Sequence, residues 1–191
     1  NNNKAYNYLN DIPEKFLNNK NINNLILALN EEKDKLTELK SYPYIIVIEP
    51  TNNCNLKCPL CSTGPDSNSR LKGKLSIDNY KKIIDSCKDY LLQLYLQNWG
   101  EPTLINYLPE MIKYAANEGI WTHVSSNLSI NYKKDYLERL VKSGLAVLLV
   151  DVDGTTQEVY EKYRVKGKLS TVIDNIRSIV KIKKEYKIEY P

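Results

Sequence analysis

From residue 44 onward, short apolar runs alternate with longer segments whose apolar residues recur every three or four positions. The runs predict strands and the periodic segments predict helices. Residues 44–48, rich in Ile and Val, predict a strand buried on both faces. Residues 76–91 follow as a helix, opened by Ser76 three positions before Asn79, a pairing that can cap it. A strand at 92–96 leads to a helix at 108–117, stopped by Gly119. The next strand covers 121–125, the next helix 134–142, ended by Gly144, and the next strand 145–150. Residues 170–185 place Val172, Ile173, Ile176, Ile179 and Val180 at helical spacing, and residues 188–190 predict a fifth strand.

Strand and helix alternating with a period of about 30 residues is the pattern of right-handed βαβ units on a parallel sheet. The expected class is therefore α/β, and the functional loops should follow the carboxyl ends of the strands. Those loops are 49–64, 97–102, 125–128 and 151–154. Residues 1–42 differ: eleven of the first thirty are Asn, which suits turns and caps better than helix interiors. Only residues 24–39, with Leu25, Leu27, Leu29 and Leu36, carry a helical pattern there. The chain thus divides into an N-terminal helical extension, 1–42, and an α/β unit, 43–191.

Composition narrows the function. At 42% hydrophobic and 26% charged residues the chain reads as an ordinary globular protein. No apolar run approaches the ~20 residues of a membrane span, and the start has no apolar stretch of a secretory signal. A net charge of +4, evenly spread, argues against nucleic acid as a partner. The opening Asn1 in place of Met and an end within the fifth strand suggest a fragment. Four cysteines in an intracellular-looking chain point to metal or redox chemistry rather than a disulfide scaffold.

Three of those cysteines, Cys54, Cys58 and Cys61, share the loop after the first strand in a C-x-x-x-C-x-x-C spacing. Three thiolates on one short loop can take three corners of a cubane cluster and leave the fourth iron open. A structural zinc site would need a fourth ligand, for which Cys87 and His123 are the candidates. Cys87 lies within an apolar helical face and reads as a small core residue. His123 shares a strand face with Ser125, where it could serve as a substrate-side acid or base or pack as an interior histidine.

The segment Glu49-Pro50-Thr51-Asn52-Asn53-Cys54 with Cys58 and Cys61 resembles the opening of radical S-adenosylmethionine (SAM) enzymes, particularly those with a SPASM or twitch extension. Gly100-Glu101-Pro102 stands where that family keeps its GE or GEP motif. Ser125-Ser126-Asn127 resembles its Thr-Asn-Gly segment, and Asp151-Val152-Asp153-Gly154 its Ser-Ile-Asp-Gly. Arg164 sits at the family's arginine position. The resemblance spans roughly residues 44–190 and implies a partial (β/α)6 TIM-like barrel, of which this chain would supply five strands. It implies a 4Fe-4S cluster on Cys54, Cys58 and Cys61, with SAM chelating the open iron. Reductive cleavage of SAM would then give a 5′-deoxyadenosyl radical that abstracts hydrogen from a peptide, protein or small polar substrate. Glu101 would meet the ammonium of SAM, with Gly100 allowing close approach and Pro102 completing the turn. Arg164 would meet the carboxylate, Leu60 would lie near the adenine, and Ser125, Asn127 and Asp151 would face the cofactor. An electron donor such as flavodoxin or ferredoxin and a cytoplasmic location are further implications. The alternative is a regulatory protein that keeps cluster and SAM without the radical step. Two departures stand out: Asp151 replaces a serine and would repel a SAM carboxylate facing it, and Leu128 replaces the glycine of the turn.

Overall fold

The computed structural model describes residues 9–10, 12–64 and 71–191; the opening asparagines and residues 65–70 lie outside the described part. Helix α1 (Asn19–Lys33) precedes four strands, β1 (Ile45–Ile48), β2 (Gln93–Leu96), β3 (Trp121–Ser126) and β4 (Val147–Val150). Crossovers α2 (Ile77–Cys87), α3 (Leu108–Asn117) and α4 (Lys134–Val141) join them, and α5 (Gln157–Tyr163) and α6 (Leu169–Tyr186) follow. The strands form one parallel sheet in the order β1-β2-β3-β4. The α/β class, with strands and helices alternating along a parallel sheet, is therefore observed. Among the described residues no helix is long and apolar enough to cross a membrane.

Register decides what each face meets. Val47 pairs with Tyr95, Tyr95 with His123, and Ser125 with Leu149. Side chains alternate along a strand, so Ile48, Leu94, Leu96 and Val124 share one face. There they bury with Tyr80, Ile84, Met111, Ile112, Leu140 and Ile179 of the helices. Val47, Tyr95, His123 and Leu149 take the other face. Val47 is 59% exposed and Leu149 51%, which corrects the expectation that the first strand is buried on both sides. The physical reason is that the main core places the crossover helices against one face alone.

The amino-terminal end of the open face is filled from the N-terminal segment. Ile12, Phe16 and Leu25 bury against Leu92, Trp121 and Ala146, and Phe16 stacks on Trp121 with centroids 6.0 Å apart. Helix α1 starts five residues before the expected 24 because asparagines cap it. Asn18 accepts from the Asn21 N–H at 2.9 Å, and the Asn21 side chain accepts from the Asn18 N–H at 3.0 Å. Asn24 then clamps residue 42, donating to the Tyr42 carbonyl at 2.9 Å and accepting from its N–H at 2.8 Å. After Lys33 the chain turns through Lys35, at φ 54°, so Leu36 and Leu39 leave the helix and stand exposed.

The expected strand at 188–190 is not formed. Lys187 ends α6 at φ 52°, the Ile188 N–H returns to the Lys183 carbonyl, and Ile188 packs on the core instead of pairing with a strand.

Candidate functional site

The loops after the strands' carboxyl ends meet around a cavity of about 380 Å³. Its lining includes Cys54, Cys58, Leu60, Cys61, Gly100, Glu101, Ser125, Asn127, Asp151 and Arg164. Of the residues that the resemblance assigns to cluster or SAM, only Pro102 does not line it, and Cys87 and His123 lie outside it as well. Pro102 is buried and starts a 3-10 turn, Pro102–Leu104, at a position where proline's missing N–H costs nothing. A roomier hollow of about 560 Å³ lies beside Leu36, Leu39 and Tyr42. Chemistry, not size, singles out the first.

The cysteine loop is fixed to its neighbours through the backbone. The Lys57 N–H donates to the Val165 carbonyl at 3.0 Å, and the Glu101 N–H to the Asn53 carbonyl at 2.7 Å. A Cβ built on Gly100 would lie 1.8 Å from the Thr51 carbonyl oxygen, so only glycine lets the second loop close onto the first. Asn52, which the motif reading passed over, holds the returning segment, donating to the Leu71 carbonyl and accepting from the Gly73 N–H. All four cysteines are free thiols. Cys87 sits on α2 with its Sγ 3.2 Å from the Ile83 carbonyl, outside the cavity lining. Among the described residues no three His, Cys, Asp or Glu side chains converge on one metal-ion position.

Glu101 is 3% exposed, and its carboxylate is occupied by protein donors. Oε1 accepts from the Thr103 N–H, the Thr103 hydroxyl and the Ser126 hydroxyl; Oε2 accepts from the Asn127 N–H at 2.9 Å. Tyr132 closes the network, with its hydroxyl 2.6 Å from that of Thr103. Burial pushes the Glu101 pKa up, and the bonds from Thr103, Asn127 and Ser126 oppose the shift. Glu101 therefore ties the exits of β2 and β3 together, and among the described residues Oε2 accepts from a single donor, the Asn127 N–H. Thr103 and Tyr132 were missed in the sequence. A Glu-Pro-Thr sequence, in which the acid caps a turn begun by proline, is the signal that could have found Thr103.

The turn after β3 survives the loss of glycine. Leu128 itself takes φ 45° with its side chain fully buried, and its N–H donates to the Ser126 hydroxyl at 3.1 Å. Asn127 accepts from the Ser129 N–H at 2.8 Å and donates to Asn55 Oδ1 at 3.1 Å. Asn55 in turn donates to the Ser129 carbonyl at 2.9 Å, so the cysteine loop and the β3 turn are mutually braced.

Charge around Asp151 is balanced. It accepts from the Ser125 hydroxyl at 2.9 Å and lies 3.8 Å from Arg164 Nη2, while Arg164 Nε donates to Asp153. Burial raises the Asp151 pKa, against the pull of Ser125 and Arg164. The remaining guanidinium nitrogen, Nη1, points at Cys58 Sγ from 3.9 Å. Trp99 and Tyr163 complete the wall, Leu60 is 85% exposed at the rim, and His123 stacks between Tyr95 and Trp121 below.

A sequence model of the radical SAM superfamily matches residues 48–190, most of the chain, including all the loop residues of this site. The chain belongs to that superfamily. It is 29% identical over 149 residues to a 7,8-dihydro-6-hydroxymethylpterin dimethyltransferase of Methanocaldococcus jannaschii, a match covering 73% of this chain and 29% of that protein. It is 26% identical over 133 residues to a PqqA peptide cyclase of Bradyrhizobium diazoefficiens, covering 69% and 34%. The chain thus spans about a third of the length of these relatives. Among solved structures, Streptococcus suis SuiB bound to S-adenosylmethionine superposes with a TM-score of 0.65 at 19% identity, covering 84% of this chain and 36% of SuiB. That likeness establishes the fold.

Radical SAM enzymes use a 4Fe-4S cluster and SAM, and the donor set fits such a cluster. Three thiols, none in a disulfide, line one cavity. Burial, ahead of all other causes, pushes the Cys54 thiol up to about 11, so alone it stays protonated near neutral pH. A bound iron would supply the positive charge that holds a buried thiolate.

Proposed function

We propose that Cys54, Cys58 and Cys61 hold the cluster and that the surrounding cavity binds SAM. On this reading the chain is the core of an oxidoreductase that takes hydrogen from a peptide, protein or small polar substrate. The observation that carries the proposal is the convergence of residues from four separate loops on one cavity at the strands' carboxyl ends.

When bound, the cluster supplies the electron that splits the sulfonium C–S bond of SAM. The chain's own residues bind, orient and exclude water. The Glu101 turn would present its carboxylate and nearby backbone to the ammonium of SAM. Arg164, with its nitrogens engaged by Asp153, Asp151 and Cys58, would lend its charge to the carboxylate end rather than a free fork. Pairing with Arg164 offsets the charge of Asp151, which removes the main objection to a carboxylate at this position. Leu60 and Trp99 offer apolar surface for the adenine. The uncovered strand face with Val47 and Leu149 lies open to substrate. A peptide substrate is supported by relatives named for peptides, the PqqA peptide cyclase and SuiB solved with its precursor peptide SuiA. The cysteine-loop motif supports a SPASM or twitch subgroup, and a low-potential carrier such as flavodoxin or ferredoxin suits the one-electron step.

The test is anaerobic reconstitution followed by dithionite and SAM. Formation of 5′-deoxyadenosine is the expected result. A fully loaded chain that binds SAM and yields none would replace the enzyme with the regulatory reading.

A further inference from the structure

Two side chains are aimed at the sulfurs of Cys54 and Cys58, and both are held from behind. The amide of Asn127 has two hydrogens. One goes to Asn55 Oδ1 at 3.1 Å, and Nδ2 also lies 3.9 Å from Cys54 Sγ. Rotation of that amide is opposed because its oxygen accepts from the Ser129 N–H. Arg164 is similarly pinned. Asp153 takes Nε, Asp151 stands by Nη2, and Nη1 faces Cys58 Sγ at 3.9 Å, with the side chain 17% exposed. Cys61 differs, since its Sγ lies 3.9 Å from an acceptor, the Trp99 carbonyl oxygen.

We propose that Asn127 and Arg164 donate N–H···S hydrogen bonds to the Cys54 and Cys58 thiolates and so raise the reduction potential of the cluster they hold. This rests on the assignment of those cysteines as ligands. Reduction adds negative charge, part of which is carried by the ligand sulfurs. Donors aimed at sulfur stabilise the reduced form more than the oxidised one, and hydrogen bonds to sulfur are among the protein's means of setting such potentials. Arg164 adds a full charge in a half-buried setting, where the effective dielectric is below that of water. Neither residue needs to touch SAM to act in this way, so the effect should persist without SAM. The pair also explains why the loop after β4 is braced to the cysteine loop: the Lys57–Val165 backbone bond fixes Arg164, one residue earlier, relative to Cys58.

The experiment is a redox titration of the anaerobically reconstituted chain, followed by electron paramagnetic resonance with SAM omitted. Arg164→Gln and Asn127→Asp should each lower the one-electron reduction equilibrium constant about tenfold, a shift of ~59 mV to lower potential. Arg164→Lys, which keeps the charge, should recover part of the difference. Asn127→Asp keeps the acceptor toward Ser129 but replaces the donor with a negative charge, so it is paired with Asn127→Leu, which removes the donor without adding charge and should still lower the potential. That pair stands independently if Arg164→Gln unsettles Asp151 and Asp153. Variants that load a cluster and titrate with the wild-type potential overturn this inference alone. A wild-type chain that takes up no cluster overturns the ligand assignment and this inference with it.

Discussion

Removing the Glu101 carboxylate would leave the N–H groups of Thr103 and Asn127 and the Ser126 hydroxyl without their buried acceptor. Each unsatisfied buried group costs roughly 1–3 kcal/mol. Glu101→Ala should therefore lower stability by at least about 3 kcal/mol in urea unfolding, and Glu101→Gln by less, because the amide oxygen still accepts. A Glu101→Ala chain as stable as wild type would contradict the bracing role. A role in SAM binding alone would predict that result, so the measurement separates the two. The position of Glu101 was legible in the sequence because a motif marks it. Its four donors were not, because they come from residues 103, 126 and 127, whose approach depends on strand register and on a turn. Leu128 makes the same point. As a replacement for glycine it argued against the usual turn, yet burial of its whole side chain outweighs the ~1–2 kcal/mol of a left-handed backbone.

At the scale of elements, α1 is fastened by a carboxylate at its end. Glu31 is buried and accepts from the N–H groups of Lys40, at 2.7 Å, and Ser41, at 3.2 Å. Hydrogen bonding from Ser41, then from Lys40, holds its pKa below the ordinary value. A carboxylate with a depressed folded-state pKa contributes stability that is fully present above the unfolded value, near ~4.3. That contribution is lost as pH falls through the folded pKa. Glu31→Gln should thus be less stable than wild type at pH 7, with the gap closing in the acid range. A gap of equal size at pH 7 and at pH 3 would contradict the assignment. Strand and helix alternation from β1 to α6 was readable because each crossover has a clear apolar period. Helix α5 was not, since it is seven residues long with one buried side chain, Tyr160, and no period can show. The limits of α1 were misplaced because capping asparagines look like loop until their partners are known.

On the scale of the whole molecule, one sheet face carries the core and the other is left open above the N-terminal plug of Ile12, Phe16 and Leu25. This division puts the polar loops of four strands around a single cavity, with thiols on one wall and a compensated Arg164–Asp151–Asp153 group on another. Which loops meet at the cavity was legible from the parallel-sheet rule, and how they brace one another was not. The measurement that bears most directly on the account is iron and sulfide content after anaerobic reconstitution of wild type, Cys58→Ala and Cys87→Ala. The account predicts one cluster per chain in wild type and Cys87→Ala, and a collapse of iron content in Cys58→Ala. Equal loss in Cys87→Ala, or full retention in Cys58→Ala, would contradict it.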